Sequence, residues 1–162
     1  MKTLLILRHA KSSWDEPGLD DCERPLNKRG EKDAPRVGQL LKAKNLVPDL
    51  IITSSAKRAR QTSELVSKHC RCPGKIEKLK TLYADGPAAY VKALSSIKGD
   101  PVRVLIVGHN PDIETLLEDL TGRTERLPTA ALALVELPIQ RWTDFSPATK
   151  GRLLDIWRPK EL

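Results

Sequence analysis

Three short apolar runs punctuate the chain: Leu4-Leu5-Ile6-Leu7, Leu50-Ile51-Ile52 and residues 102–107, the last broken only by Arg103. Each is strand-length and nearly continuous, as in strands covered on both faces of a parallel sheet. Each is followed by polar residues and then by apolar positions at helical spacing. Val37, Leu40, Leu41 and Leu46 mark a helix over about residues 31–44, which puts Pro35 in its first turn, where a missing N–H is tolerated. Ala59, Thr62, Leu65, Val66 and His69 mark a second helix, and Tyr90, Val91, Leu94 and Ile97 a third. Ile113, Leu116, Leu117 and Leu120 mark a fourth, opened by Asn110-Pro111 and closed near Gly122. Late strands fall at residues 130–137 and Arg152–Trp157; in the second, Leu153, Asp155 and Trp157 face opposite to Leu154 and Ile156. The β-α-β-α alternation predicts an α/β fold of three layers, α/β/α, with a mostly parallel central sheet. The longest irregular stretch, residues 11–27, holds Pro17, Gly18 and Pro25; a loop of that length in a compact domain points to function.

Length and composition narrow the class. The 162 residues fit one domain, and a hydrophobic fraction of 40% beside 30% charged residues suits a water-soluble protein with its own core. No repeat, linker or low-complexity segment interrupts it. The net charge of +7 favours anionic partners without choosing among phosphate esters, nucleic acid and acidic protein surfaces. Aromatic residues make up only 4%, which is poor for base stacking, and no nucleic-acid motif is present, so nucleic acid is not the expected partner. The three cysteines, with Cys70 and Cys72 too close for an ordinary disulfide, indicate a reducing, cytoplasmic setting. His69, Cys70 and Cys72 lack the second pair and the spacing of a zinc site; they read as a helix end before a turn at Pro73-Gly74, and neither metal nor cofactor is expected. The N-terminal apolar run is too short for a signal peptide or a membrane span, so no membrane association is expected.

The polar residues gain meaning from where they stand on this frame. Arg8-His9 follows the first strand, Gly108-His109-Asn110-Pro111 follows the strand at 102–107, and Ser54-Ser55-Ala56-Lys57-Arg58 leads from the strand at 50–52 into a helix. In parallel α/β sheets the carboxyl ends of the strands line the binding crevice. Two of the chain's three histidines and two arginines therefore converge on one edge. Singly, each has an ordinary structural reading: a loop histidine bonded to backbone, an arginine closing an ion pair on its helix. Together they suit phosphoryl transfer. Guanidinium groups bind phosphoryl oxygens bidentately and offset the charge that spreads over them in the transition state. A neutral imidazole is a competent nucleophile at phosphorus, and nearby cations keep it neutral.

The motifs resemble those of the histidine phosphatase superfamily. Arg8-His9-Ala10 is similar to its Arg-His-Gly signature, the segment from Ser54 through Arg58 to Gln61-Thr62 to its second motif, and Gly108-His109 to the motif with its second histidine. Arg24-Pro25-Leu26 followed by Gly30 resembles the segment before its first long helix, and the likeness runs from Leu4 to about Leu120. The resemblance implies a phosphoglycerate mutase-like fold filling residues 1–162, transient phosphorylation of His9, and a phosphate pocket of Arg8, Arg58 and His109. Arg24 would be an outer substrate contact. Ser54 would be either a minor donor or a helix-start residue.

Two departures carry information. Ala10 stands where the family has glycine, which predicts a slightly different loop if that position needs positive φ. Mutases and many ester phosphatases of the superfamily carry a glutamate acid after the third strand; the corresponding Leu82-Tyr83-Ala84-Asp85-Gly86 has none, and Asp85 is the candidate substitute. Asp20 and Asp21 in the long loop are either further assistants or solvated. An alkoxide leaving group needs an acid. The P–N bond of phosphohistidine breaks once its ring is protonated, which solution supplies near neutral pH. The acid-poor chain thus resembles the short SixA-type phosphohistidine phosphatases, whose uncapped site suits a phosphorylated partner protein. The expected activity is metal-independent hydrolysis of phosphohistidine. The alternatives are a phosphatase of small phosphate esters and a noncatalytic phosphate-binding module.

Overall fold

Apolar runs that alternate their faces build the centre of the molecule. The computed structural model describes residues 1–161. Strands β1 (Lys2–Arg8), β2 (Leu50–Ser54), β3 (Ile76–Leu79), β4 (Arg103–Gly108), β5 (Leu132–Leu137) and β6 (Arg152–Trp157) form one sheet in the order β3-β2-β4-β1-β5-β6. The first four of these neighbours run parallel; β5 is antiparallel to both β1 and β6. Along β1, Leu4 and Ile6 enter one core while Leu5 and Leu7 enter the other, and in β4 Val104 and Ile106 part from Leu105 and Val107 in the same way. Helices α1 (Lys28–Ala43) and α2 (Lys57–Cys70) cover one face. The short α3 (Thr81–Ala84) with α4 (Pro87–Ser95) and α5 (Asp112–Thr121) covers the other, so the three layers and mostly parallel sheet are as predicted.

Local chemistry sets the boundaries that periodicity missed. Helix α1 begins at Lys28 because the Asn27 side chain accepts the Gly30 N–H at 2.9 Å, an N-cap ahead of a first turn with no apolar residue. Pro35 is therefore the eighth helical residue rather than a first-turn one; the carbonyl deprived of its N–H belongs to exposed Glu31, within reach of water. Strand β3 and α3 were not foreseen: β3 is an edge strand with two partly buried apolar residues, too little pattern to read. In β6 the predicted alternation breaks. A register shift opposite Leu134/Val135 lets Leu153 and Ile156 pack into the same core while Trp157 packs into the other and Leu154 stays exposed. His69 and Cys70 close α2, Arg71 takes the left-handed cap, and all three cysteines are free thiols. Among the described residues no helix is long and apolar enough to cross a membrane.

Candidate active site

The carboxyl ends of β1, β2 and β4 meet at a cavity of about 500 Å³ lined by Arg8, His9, Arg24, Arg58, Tyr83 and His109 among others. His9 continues the β1 ladder, its N–H bonding the Gly108 carbonyl at 3.1 Å, and its ring lies 5.1 Å from that of His109, centroid to centroid. Only 7% exposed, His9 points Nδ1 at the Ala10 carbonyl, 2.8 Å away. A carbonyl can only accept, so Nδ1 carries the hydrogen and Nε2 keeps a free lone pair. Burial holds the His9 pKa down, to about 3, with His109, Arg58 and Arg8 adding to the fall against the Ala10 hydrogen bond. Burial, and then Arg58, likewise hold His109 down, to about 4. Both rings are neutral at pH 7.

The motif residues that do not face the cavity have structural tasks. Thr62 Oγ1 accepts the Ala10 N–H at 2.9 Å and donates to the Arg58 carbonyl at 2.7 Å; it ties the loop after His9 to the helix that carries Arg58. Gln61 Oε1 accepts the Leu26 N–H at 2.9 Å, anchoring the end of the long loop just after Arg24. A Cβ on Gly30 would lie 2.2 Å from the Lys11 carbonyl, which accepts the Asn27 N–H; glycine there lets the start of the loop rest on α1. Ala10 is fully buried and absent from the positive-φ residues, so the position has no need of the family's glycine. Ser54 is fully buried and does not line the cavity; its hydroxyl meets His109 Nε2 at 2.8 Å and accepts the Ala56 N–H at 3.2 Å just ahead of α2. The fully buried Tyr90 hydroxyl accepts the His109 N–H at 3.2 Å and donates to the Leu82 carbonyl at 2.8 Å, locking the β4 turn to α3.

Asp21 organises the outer half of the cavity. Arg58 donates one nitrogen to the Asp21 carbonyl at 2.7 Å and another to its carboxylate at 3.0 Å. Arg24 donates to the other carboxylate oxygen at 3.1 Å and to Ser12 Oγ at 2.9 Å, and Tyr83 donates its hydroxyl to Asp21 at 2.8 Å. Although burial raises the Asp21 pKa, these bonds from Tyr83, Arg58 and Arg24 outweigh it and pull the pKa to about 2. The cavity thus holds an ionised carboxylate between Arg24 and Arg58. Exposed Trp14 lies at the rim with the Arg24 guanidinium 3.5 Å from its ring centre. Arg8 bonds the Leu127 carbonyl at 3.2 Å, and its Nε is buried without a partner. Asp85 lies elsewhere: it is exposed at the end of α3 and does not line the cavity. Sequence reasoning named Asp21 without a role and missed Tyr83 and Trp14. Tyr83 follows the unread strand β3, and Trp14 sits in an irregular loop, where side-chain direction has no period.

Comparison with known proteins agrees with this geometry. The family model of the histidine phosphatase superfamily (branch 1) matches residues 4–83. A chloroplastic protein of Arabidopsis thaliana is 33% identical over 154 residues, covering 88% of this chain and 70% of the relative. A crystal structure from Agrobacterium tumefaciens that carries the name phosphohistidine phosphatase SixA is 28% identical, with a TM-score of 0.83 over 98% of both chains. A 2,3-bisphosphoglycerate-dependent phosphoglycerate mutase of Streptomyces avermitilis is 44% identical, but over 64 residues only, 38% of this chain and 25% of the mutase. With its motifs at the ends of the same parallel strands, this chain belongs to the histidine phosphatase superfamily.

Proposed function

We propose that the protein is a metal-independent phosphatase that hydrolyses phosphohistidine on a partner protein through a phosphorylated His9. Family membership supports phosphatase chemistry, and one observation favours phosphohistidine over esters. Asp21 is the only carboxylate among the residues that line the catalytic cavity, and with a pKa near 2 it is ionised at neutral pH. It cannot protonate an alkoxide. An imidazole leaving group, protonated by solvent near its ordinary pKa of about 6.5, needs no such donor.

In this reading Arg8, Arg58 and His109 hold the phosphoryl oxygens, with Arg24 as an outer contact. The lone pair on His9 Nε2 attacks phosphorus in line. The Nε2–P bond forms, the substrate P–N bond breaks, and its electron pair leaves on the protonated ring. The Nδ1–H bond to Ala10 strengthens as the His9 ring gains positive character. Water then attacks phosphorus, the P–Nε2 bond breaks, and orthophosphate leaves.

His9→Ala abolishes turnover of a phosphohistidine protein in the presence of chelator, and phosphoryl label from substrate appears on His9 of the wild type. Turnover retained by His9→Ala refutes the mechanism. A higher kcat/KM for sugar or aryl phosphates than for the phosphohistidine protein favours the small-ester reading that the mutase likeness supports. Binding of phosphate without turnover of any substrate leaves a noncatalytic module.

A further inference from the structure

A second cavity, of about 560 Å³, adjoins the catalytic one and shares Arg8, Asn110 and Thr129 with it. Its lining carries five cationic side chains against two carboxylates. Apart from Arg8, the cations come from separate elements: Arg29 from the first turn of α1, Arg126 from the loop after α5, and Arg158 and Lys160 from the segment after β6. Arg29 leans on Asp33 at 3.5 Å and Arg158 on Glu125 at 3.2 Å, whereas exposed Arg126 makes no side-chain ion pair among the described residues. Leu127, Pro128 and Pro159 supply an apolar floor. At the junction, Arg8 and Asn110 both bond the Leu127 carbonyl, at 3.2 and 2.8 Å, while Arg8 Nε and Asn110 Oδ1 are buried without partners.

We infer that this cavity is a subsite for an acidic stretch of the substrate protein lying beside its phosphorylated residue, an assignment that rests on the phosphatase reading above. The two cavities share Arg8, Asn110 and Thr129 in their walls, so a chain whose phosphoryl group enters the first has the second within reach. The cations are dispersed and partly neutralised. Apart from Arg8 they come from three separate parts of the chain, and such a set beside an apolar floor suits several carboxylates along an extended segment. The excess charge of +7 acts in the same direction by steering acidic surfaces toward this edge.

The test uses two phosphohistidine peptides of the same length, one flanked by Asp and Glu and one by Ser and Asn, with phosphoramidate as a small substrate that cannot reach the subsite. The wild type favours the acidic peptide by about tenfold in kcat/KM at low salt, chiefly through KM, and the preference shrinks as ionic strength rises. Arg126→Glu lowers the preference about fivefold and leaves phosphoramidate turnover as it was. Equal KM values for the two peptides overturn the inference, as does a preference that survives Arg126→Glu/Lys160→Glu. A gain for a small bisphosphate over a monophosphate, lost in the same variants, overturns it in favour of a second phosphate. If the wild type hydrolyses neither peptide nor phosphoramidate, the phosphatase reading fails instead. The subsite is then judged by fluorescence anisotropy of the unphosphorylated acidic peptide, where binding insensitive to Arg126→Glu refutes it.

Discussion

Lowering the pH from 7 to 5 should destabilise this protein through His9 and His109, and the size of the loss follows from their surroundings. In the unfolded chain both rings titrate near 6.5; in the fold, burial and the adjacent arginines hold them at about 3 and about 4. Between those limits the unfolded state binds protons that the folded state refuses, so stability falls as pH falls through 6.5. At pH 5 the unfolded rings are about 1.5 units below their own midpoint, and at 1.36 kcal/mol per unit this is about 2 kcal/mol for each ring. His109 is less buried than His9, which trims the pair to roughly 3–4 kcal/mol, a large share of a stability of about 5–15 kcal/mol. Asp21 does not intrude, because its folded pKa near 2 and its ordinary value both lie below the window. The assay is urea unfolding at pH 7 and pH 5 for the wild type and for His9→Asn/His109→Gln. The wild type should lose about 3–4 kcal/mol more than the double variant over that interval. An equal loss in both would mean that the rings accept protons inside the fold, and the argument for a neutral nucleophile would fail with it.

Other outcomes follow from single contacts. Asp21→Asn removes the charge that now sits across Arg58 and Arg24, so orthophosphate should bind about fivefold more tightly by calorimetry; weaker binding would mean that the carboxylate holds the arginines in their receptive pose. Tyr90→Phe takes the acceptor from the part-buried His109 N–H and the donor from the buried Leu82 carbonyl, and should cost about 1–3 kcal/mol in urea unfolding together with a fall in kcat. Unchanged stability would show that the turn holds without it.

How much was legible in the sequence depended on whether a residue's neighbours repeat. The strands around Leu4–Leu7 and residues 104–107 announce themselves because both faces are covered and every position is apolar. His9 and His109 were found because each directly follows such a strand, and Arg58 because it stands in the first turn of the helix that follows the run at 50–52, so topology fixes which edge all three reach. The start of α1 was not legible from hydrophobic spacing, since Lys28, Arg29 and Gly30 have no apolar member; the signal lay in Asn27 as a cap. Nor could spacing reveal that Asp21 bridges Arg24 and Arg58, because that contact joins a single-turn helix in a loop to a helix 37 residues away. Thr62 and Gln61 were legible as motif residues on the second helix, but not their bonds to Ala10 and Leu26, which join that helix to distant loops.

The strand β1 has neighbours on both sides, β4 and β5, whereas the segment carrying Trp14, Asp21 and Arg24 lies outside the sheet, closed at its base by the isolated Ser12–Leu26 bridge and held to α2 by the Arg58 bonds to Asp21. Amide exchange should therefore divide the catalytic apparatus into two kinetic populations, slow at the histidines and fast along residues 13–23. Under the proposed mechanism, a protease that nicked the fast segment would leave a folded body still able to become phosphorylated on His9, with Asp21 and Arg24 no longer held at the cavity.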